Sequence, residues 1–288
     1  MAALRAQVLS PRVLRWISDF EAARVLHVFD RSANLVNDRG EVVSIVDPEI
    51  GPGPFNLVLK ESFGFMGRIS PASEIGVGTV NLKVGGEGTL RFGSEGTLRI
   101  GGAGTLRVGT TVIALGEAVI WNPVPPWRTL GPESRDFLIE TIGKAMAVSP
   151  VQPAIPFDPP PDPGDTQALA SYAGGLAGLG PGLTPSGDDV LMGWVHALFV
   201  LHPPEEARAS AVVIAGSAAP RTTTLSAAWL YAAAAGEAGG LWHLLVESAR
   251  TGDEPGLRDA ITRILATGHT SGADALAGFA AGLSHESV

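Results

Sequence analysis

The chain has 288 residues, a formal net charge of −9 and no cysteine. No lysine- or arginine-rich run offsets that acidic balance, which argues against nucleic acid as a partner, and disulfides, thiolate metal sites and cysteine nucleophiles are excluded together. With 45% apolar residues beside 37 glycines and 22 prolines, it can bury one large core or two ordinary ones rather than staying disordered.

The opening stretch, MAALRAQVLSPRVLRW, lacks the long apolar core and small-residue cleavage site of a signal peptide. The best candidate for a membrane span, VLMGWVHALFVL at 190–201, is shorter than the roughly 20 residues a span needs, and it begins against Asp188 and Asp189. A soluble, cytoplasmic protein with no membrane partner is expected.

The first half reads as strands. RVLHVF (24–29), EVVSIVD (41–47), FNLVLK (55–60) and TVIALGEAVIW (111–121) are rich in β-branched and apolar residues, and Asn, Asp, Gly and Pro punctuate them. Asp38, Arg39 and Gly40 mark a hairpin turn. An eight-residue repeat follows: GEGTLRFG (86–93), SEGTLRIG (94–101) and GAGTLRVG (102–109). Its period-2 alternation predicts half-buried strands with Arg91, Arg99 and Arg107 on the face opposite the leucines. Those arginines form either an anion-binding ladder or the solvent face of a short meander or stack. Residues 1–131 are thus expected to be a β-rich, barrel- or meander-like domain.

Residues 132–165 are expected to be a helix, PESRDFLIETIGKAMAV (132–148), followed by a connector. The prolines of VQPAIPFDPPPDPGD (151–165) exclude a helix interior or a central strand there. From Thr166 to Val288 seven helical segments succeed one another, rich in the alanines and glycines that permit close packing. The expected fold class is α+β, with an all-α C-terminal domain that carries its function in loops.

Two helix starts share one pattern. SGDDVLMG (186–193) and SGADALAG (271–278) both read Ser-Gly-x-Asp-x-Leu-x-Gly, and both open apolar helices. A duplicated start predicts two helix N-termini converging on one site. Ser186 with Asp189, and Ser271 with Asp274, also fit capping boxes. Capping leaves Asp188 unexplained. It also leaves Gly187 and Gly272, each costing about 1 kcal/mol relative to Ala inside a helix, which point to something approaching the backbone closely.

The stretch GLGPGLTPSGDD (178–189) combines opposite tendencies. Gly180, Gly182, Thr184, Ser186 and the helix N-terminus suit a phosphate or carboxylate, as do Thr270, Ser271 and Gly272 in the second loop. The aspartates oppose an anion. They either hold a divalent ion such as Mg or Mn through Asp188, Asp189 and Asp274, or accept hydrogen bonds from an amide or amine on the same small anionic substrate. In PRTTTLSAAW (220–229), Arg221 can fork onto an anion, with Thr222 and Thr223 beside it. The alternative there is an N-cap threonine with a solvated arginine. His269 is the one histidine within these loops, either an acid, base or carbonyl polariser or a plain loop residue.

In that order and spacing, GLGPGLTPSGDDVLMG, RTTTLSAAWL and GHTSGADALAGFAAGL resemble the oxamate carbamoyltransferase catalytic-subunit family over residues 166–283. The resemblance implies an enzyme that moves a carbamoyl group between phosphate and the amide nitrogen of oxamate. In the catabolic direction, closing allantoin breakdown, oxalurate and phosphate would give oxamate and carbamoyl phosphate. It also implies a complex with two other subunits; self-association into a homo-oligomer is left open. Asp188 or Asp189 would then serve as base, Thr270 or His269 as donors to the carbonyl oxygen, and Arg221 as the cation for a carboxylate. No cofactor is required by the sequence. The competing classes are a metal-dependent hydrolase built on the Asp cluster and a non-catalytic anion-binding subunit.

Overall fold

A computed structural model describes residues 3–78, 98–99 and 104–284. The chain divides into two compact units, Met1–Pro123 and Val124–Val288.

The first unit contains β1 (Leu4–Leu9), α1 (Pro11–Ser18), β2 (Ala23–Val28), β3 (Ser32–Asn37), β4 (Val42–Val46) and β5 (Asn56–Leu59). After them come β6 (Ile75–Val77), β7 (Leu98–Arg99), β8 (Thr105–Val108), β9 (Thr111–Ala114) and β10 (Val119–Ile120). They form one sheet in the order β2-β3-β4-β5-β1-β9-β8-β6, with β10 pairing β1 and β7. The end strands β2 and β6 touch, so the sheet is a nearly closed, barrel-like wrap.

Leu9, Leu35, Ile45, Leu57, Leu59, Leu106 and Ile113 fill the core of this unit together with Val13, Trp16 and Ile17 of α1. Helix α1 starts at Ser10, whose side chain accepts from the Val13 amide, with Pro11 at its first position. The turn at 38–40 joins β3 to β4, with Gly40 N–H donating to the Asn37 carbonyl. The stretch 111–121, expected as one strand, is two strands, β9 and β10, separated by a turn. Of the arginine repeat, Arg91 lies outside the described residues and only the backbone is described at Arg99. The third unit follows the period-2 pattern: Leu106 and Val108 are buried and Arg107 is exposed, as on a solvent face.

The second unit contains α2 (Pro132–Val148), α3 (Thr166–Leu176), α4 (Ser186–Leu201) and α5 (Pro204–Ala218). It continues with α6 (Thr224–Ala234), α7 (Gly240–Thr251), α8 (Glu254–Leu265) and α9 (Ser271–Ser284). Helix α4 is buried along almost its whole length, which explains an apolar run too uniform for a surface helix. The proline-rich stretch 151–165 has no regular structure. Ile155 and Phe157 pack on the helical core, and Tyr172 Oη donates to the Asp158 carbonyl at 2.6 Å.

Helices α4 and α9 approach main chain to main chain. A methyl group at Gly193 would sit 1.9 Å from the Ala275 carbonyl oxygen, and one at Gly278 would sit 2.0 Å from that of Val190. These contacts are reciprocal: Gly193 and Gly278 occupy the same place in the repeated octapeptide, as do Val190 and Ala275. The two helices therefore cross on a local pseudo-two-fold. No described helix is long and apolar enough to cross a membrane.

Candidate functional site

The crossing of α4 and α9 brings the two Ser-Gly-x-Asp starts together. Thr184 Oγ1 lies 2.9 Å from Ser271 Oγ, so a hydroxyl from each loop meets the other. The hydroxyls of Ser271 and Thr184 also lie beside the Asp189 carboxyl and favour its charged form. Asp189 and Asp274 are equivalent positions of the repeat, and both are shut off from solvent, at 5% and 0% exposure. Asp274 Oδ1 accepts the Ala154 amide at 2.7 Å, while Oδ2 of each aspartate has no partner among the described residues.

Burial, reinforced by the nearby negative charge of Asp274 and Asp188, pushes the Asp189 carboxyl up to about 8, against the pull of the Ser271 and Thr184 hydroxyls. Asp189 is therefore predominantly protonated at neutral pH.

Asp188 has a different environment. Its Oδ1 accepts the Gly178 amide at 3.0 Å, and its Oδ2 accepts both Thr222 Oγ1 and Ser226 Oγ, the latter at 2.8 Å. With three donors on a carboxylate that is 1% exposed, Asp188 is a structural anchor. It ties the glycine loop to the start of α6.

The segment Arg221–Ser226 completes that tie. Arg221 Nη1 donates to the Gly174 carbonyl near the end of α3, and Thr223 Oγ1 donates to the Leu183 carbonyl while capping α6 at the Ser226 amide. Gly178 takes φ 72 and sits so close to the Arg221 carbonyl that a methyl group there would be 2.6 Å from it. Thr222 and Thr223, expected as anion ligands, are thus engaged with the protein itself. Arg221 is exposed and gives one of its five N–H donors to Gly174.

Two expectations about the helix starts need correction. Ser186 is the first helical residue and is buried; the N-cap is Pro185, and no side chain caps the helix. The Ser186–Asp189 capping box does not form, because one residue of offset removes the serine from the cap position. Gly187 and Gly272 do meet a close neighbour, but it is backbone. Methyl groups there would lie 2.0 Å from the Leu176 carbonyl oxygen and 1.7 Å from that of Ile264. These glycines let each helix start pack under the end of the helix before it.

The amides of these starts are also partly occupied, Gly187 N–H by Leu179 and Gly272 N–H by Thr267. The part of these starts open to solvent is the loop tip, residues 179–182, which includes Gly180 and Gly182. Beside it are the half-buried Thr184, Thr270 and Ser271, and the exposed His269, which makes no hydrogen bond to a described residue. Among the described residues, no group of three or more His, Asp or Glu side chains is disposed to hold a metal ion.

Reading the sequence missed Ser226 and the Ala154 amide. Ser226 had a signal, since it sits one turn beyond Thr222 in a hydroxyl-rich helix start. Ala154 had none, because a backbone donor 120 positions from its acceptor leaves no mark in the residue text. It also left His196 as a core or surface histidine. That residue is buried between Trp127, stacked at 5.0 Å, and Trp242 at 4.8 Å, and burial lowers it to about 3.

Residues 176–283 match the family model described as oxamate carbamoyltransferase subunit AllH. This supports the resemblance carried by the motifs, and the matched span runs from the end of α3 to the end of α9, both helix starts included. Neither the curated proteins nor the solved structures compared with the chain contain a match.

Proposed function

We propose that this chain is a carbamoyltransferase subunit that moves a carbamoyl group between phosphate and a small amide bearing a carboxylate, such as oxamate. One observation carries the proposal. The two helix starts meet at a hydroxyl pair beside Asp189, whose carboxyl is protonated near neutral pH and has one oxygen free of protein partners.

In the phosphorolytic direction a phosphate oxygen attacks the carbamoyl carbon of oxalurate. The bond from that carbon to the amide nitrogen breaks, and the nitrogen must leave with a proton. Asp189 donates that proton and recovers one from the attacking phosphate, so the carboxyl ends as it began. A positioned acid of this kind contributes typically 10²–10⁴-fold. The exposed loop tip with Gly180 and Gly182 takes the phosphate. Arg221 has four N–H donors beyond the one given to Gly174 with which to meet the acceptor's carboxylate. Thr270 and His269 stand at the second loop as donors for the carbonyl oxygen.

A metal-dependent hydrolase is less well supported, since Asp188 has both oxygens on protein donors. The family description speaks of a subunit, and partner subunits belong in the assay. Oxalurate phosphorolysis by the purified chain, alone and with candidate partners, is the direct test. Turnover is expected to fall as pH rises through about 8, where the acid form of Asp189 is lost, and Asp189→Asn is expected to reduce it at least about 10²-fold. Parental turnover in Asp189→Asn, or binding of oxamate with no turnover under any partner condition, would overturn the proposal.

A further inference from the structure

The pseudo-two-fold leaves one buried group that the proton transfer does not use. Asp274 is the counterpart of Asp189 across the α4–α9 crossing, fully buried and with an unpartnered Oδ2. Its other oxygen is pinned by the Ala154 amide at 2.7 Å, which fixes how the carboxyl is turned. A buried acceptor without a donor costs free energy that a folded chain rarely tolerates without a purpose. The equivalent oxygen of Asp189 also lacks a partner, on a helix start that shares a hydrogen bond with this one.

We infer that Asp274 reads a primary amide by accepting at Oδ2 the N–H that is not exchanged with Asp189, and that it is the residue that selects nitrogen over oxygen at this position. The inference rests on the carbamoyl-transfer function proposed above. The amide nitrogen of an oxamate-type acceptor carries two hydrogens. One is exchanged with Asp189 as the carbamoyl group arrives or leaves; the other stays on nitrogen throughout, in both the free amide and the ureido product. Asp274 holds the retained hydrogen. A dicarboxylate of the same size presents oxygen in place of that NH₂ and sets its negative charge against the Asp274 acceptor, so the site rejects it.

Both unpartnered oxygens belong to the first turns of α4 and α9 and are out of contact with water. That suits an amide whose N–H groups must find protein acceptors and a carbamoyl donor that water would hydrolyse. Sites built to hydrogen-bond a substrate N–H discriminate strongly against analogues that lack it, because the buried acceptor is then left bare.

The substitution Asp274→Asn isolates this role. The amide oxygen of asparagine can still accept from Ala154, so the fold is retained, while its NH₂ now stands where Oδ2 stood and offers donors instead of an acceptor. The experiment measures oxamate and oxalate binding by calorimetry, alongside phosphorolysis, in the full chain with whatever partners activity requires. The parent is expected to prefer oxamate by about 10²-fold or more, and Asp274→Asn to shrink that preference at least tenfold by gaining oxalate as well as losing oxamate. Should Asp274→Asn fold poorly, the ratio in the parent still decides. Equal affinity of the parent for both ligands, or an unaltered ratio in a folded Asp274→Asn, overturns the inference while active phosphorolysis leaves the function standing. Absence of both binding and phosphorolysis overturns the function, and this inference with it.

Discussion

The starts of α4 and α9 carry the same eight-position pattern and share a hydrogen bond, yet each is secured by different means. At α4 a loop with three glycines precedes the helix, and it is fastened from outside: Asp188, Thr222, Thr223 and Ser226 tie it to the start of α6. At α9 the approach is short and Ala273 stands where α4 has Asp188. Beyond the hydrogen bond it shares with the α4 loop, it is tethered by the Ala154 amide on Asp274. One half of the duplication has a compact helix start. The other has a longer loop together with the clasp that shapes it. The acid group common to both, Asp189 and Asp274, sits where the halves still agree.

The severest way to break this comparison is at the crossing itself. Gly193→Ala and Gly278→Ala each force a methyl group onto a carbonyl of the facing helix, and backbone cannot move aside cheaply. Each is expected to cost about 3 kcal/mol or more, read from denaturant midpoints. A parental midpoint for one with collapse of the other would show that the pseudo-two-fold is not real.

The clasp supplies the next largest effect. Asp188→Ala strands three donors and is expected to cost about 3 kcal/mol. Asp274→Ala strands one and is expected to cost less, which sharpens the contrast between a clasped start and a compact one. Equal losses from the two would erase that contrast.

The protonated carboxyl gives a pH signature of about 1–2 kcal/mol. Asp189 has a raised native value, so its contribution is full below the ordinary carboxylate range near 4 and is lost as pH rises to about 8. His196 has a lowered one, so its contribution is present above about 6.5 and is lost as pH falls towards 3. Between about pH 4 and 6.5 the two slopes oppose each other; above 6.5 only the Asp189 slope remains. Unfolding at pH 6 and pH 8 should show the parent weaker at pH 8 and Asp189→Asn nearly level. An equal drop in both would assign the slope elsewhere. The smallest expected effect is Ser226→Ala, about 1 kcal/mol for one of three hydrogen bonds to Asp188, measured by thermal melting.

Much of the helical unit was legible because long segments with helical character lie between clear breakers; 132–148 is a helix with those bounds. The twin motif was legible for the same reason, and it led to the convergence of Thr184 with Ser271. In the β unit, β3 escaped notice. Both faces of β3 and β4 are buried, so no alternation survives, and Asn34 looks like a loop residue until Ser44 Oγ donates to it at 2.6 Å inside the sheet. The partners of site residues were the least legible. Thr222 and Thr223 have the composition of an anion site, and only tertiary placement reveals that their hydroxyls face Asp188 and Leu183. Gly187 and Gly272 advertised a close approach, but a sequence does not say whether the visitor is substrate or main chain.

Where α4 passes α9 there is no side chain at the point of closest approach, and so nothing for mutation to adjust by degrees. The pair behaves as a single girder whose angle is inherited or lost outright. Beyond Asp274, a change in which molecule the protein handles would be written in the spans that hang from it, around 178–184 and 266–270. Swapping those two stretches between relatives should transplant preference without re-docking the helices.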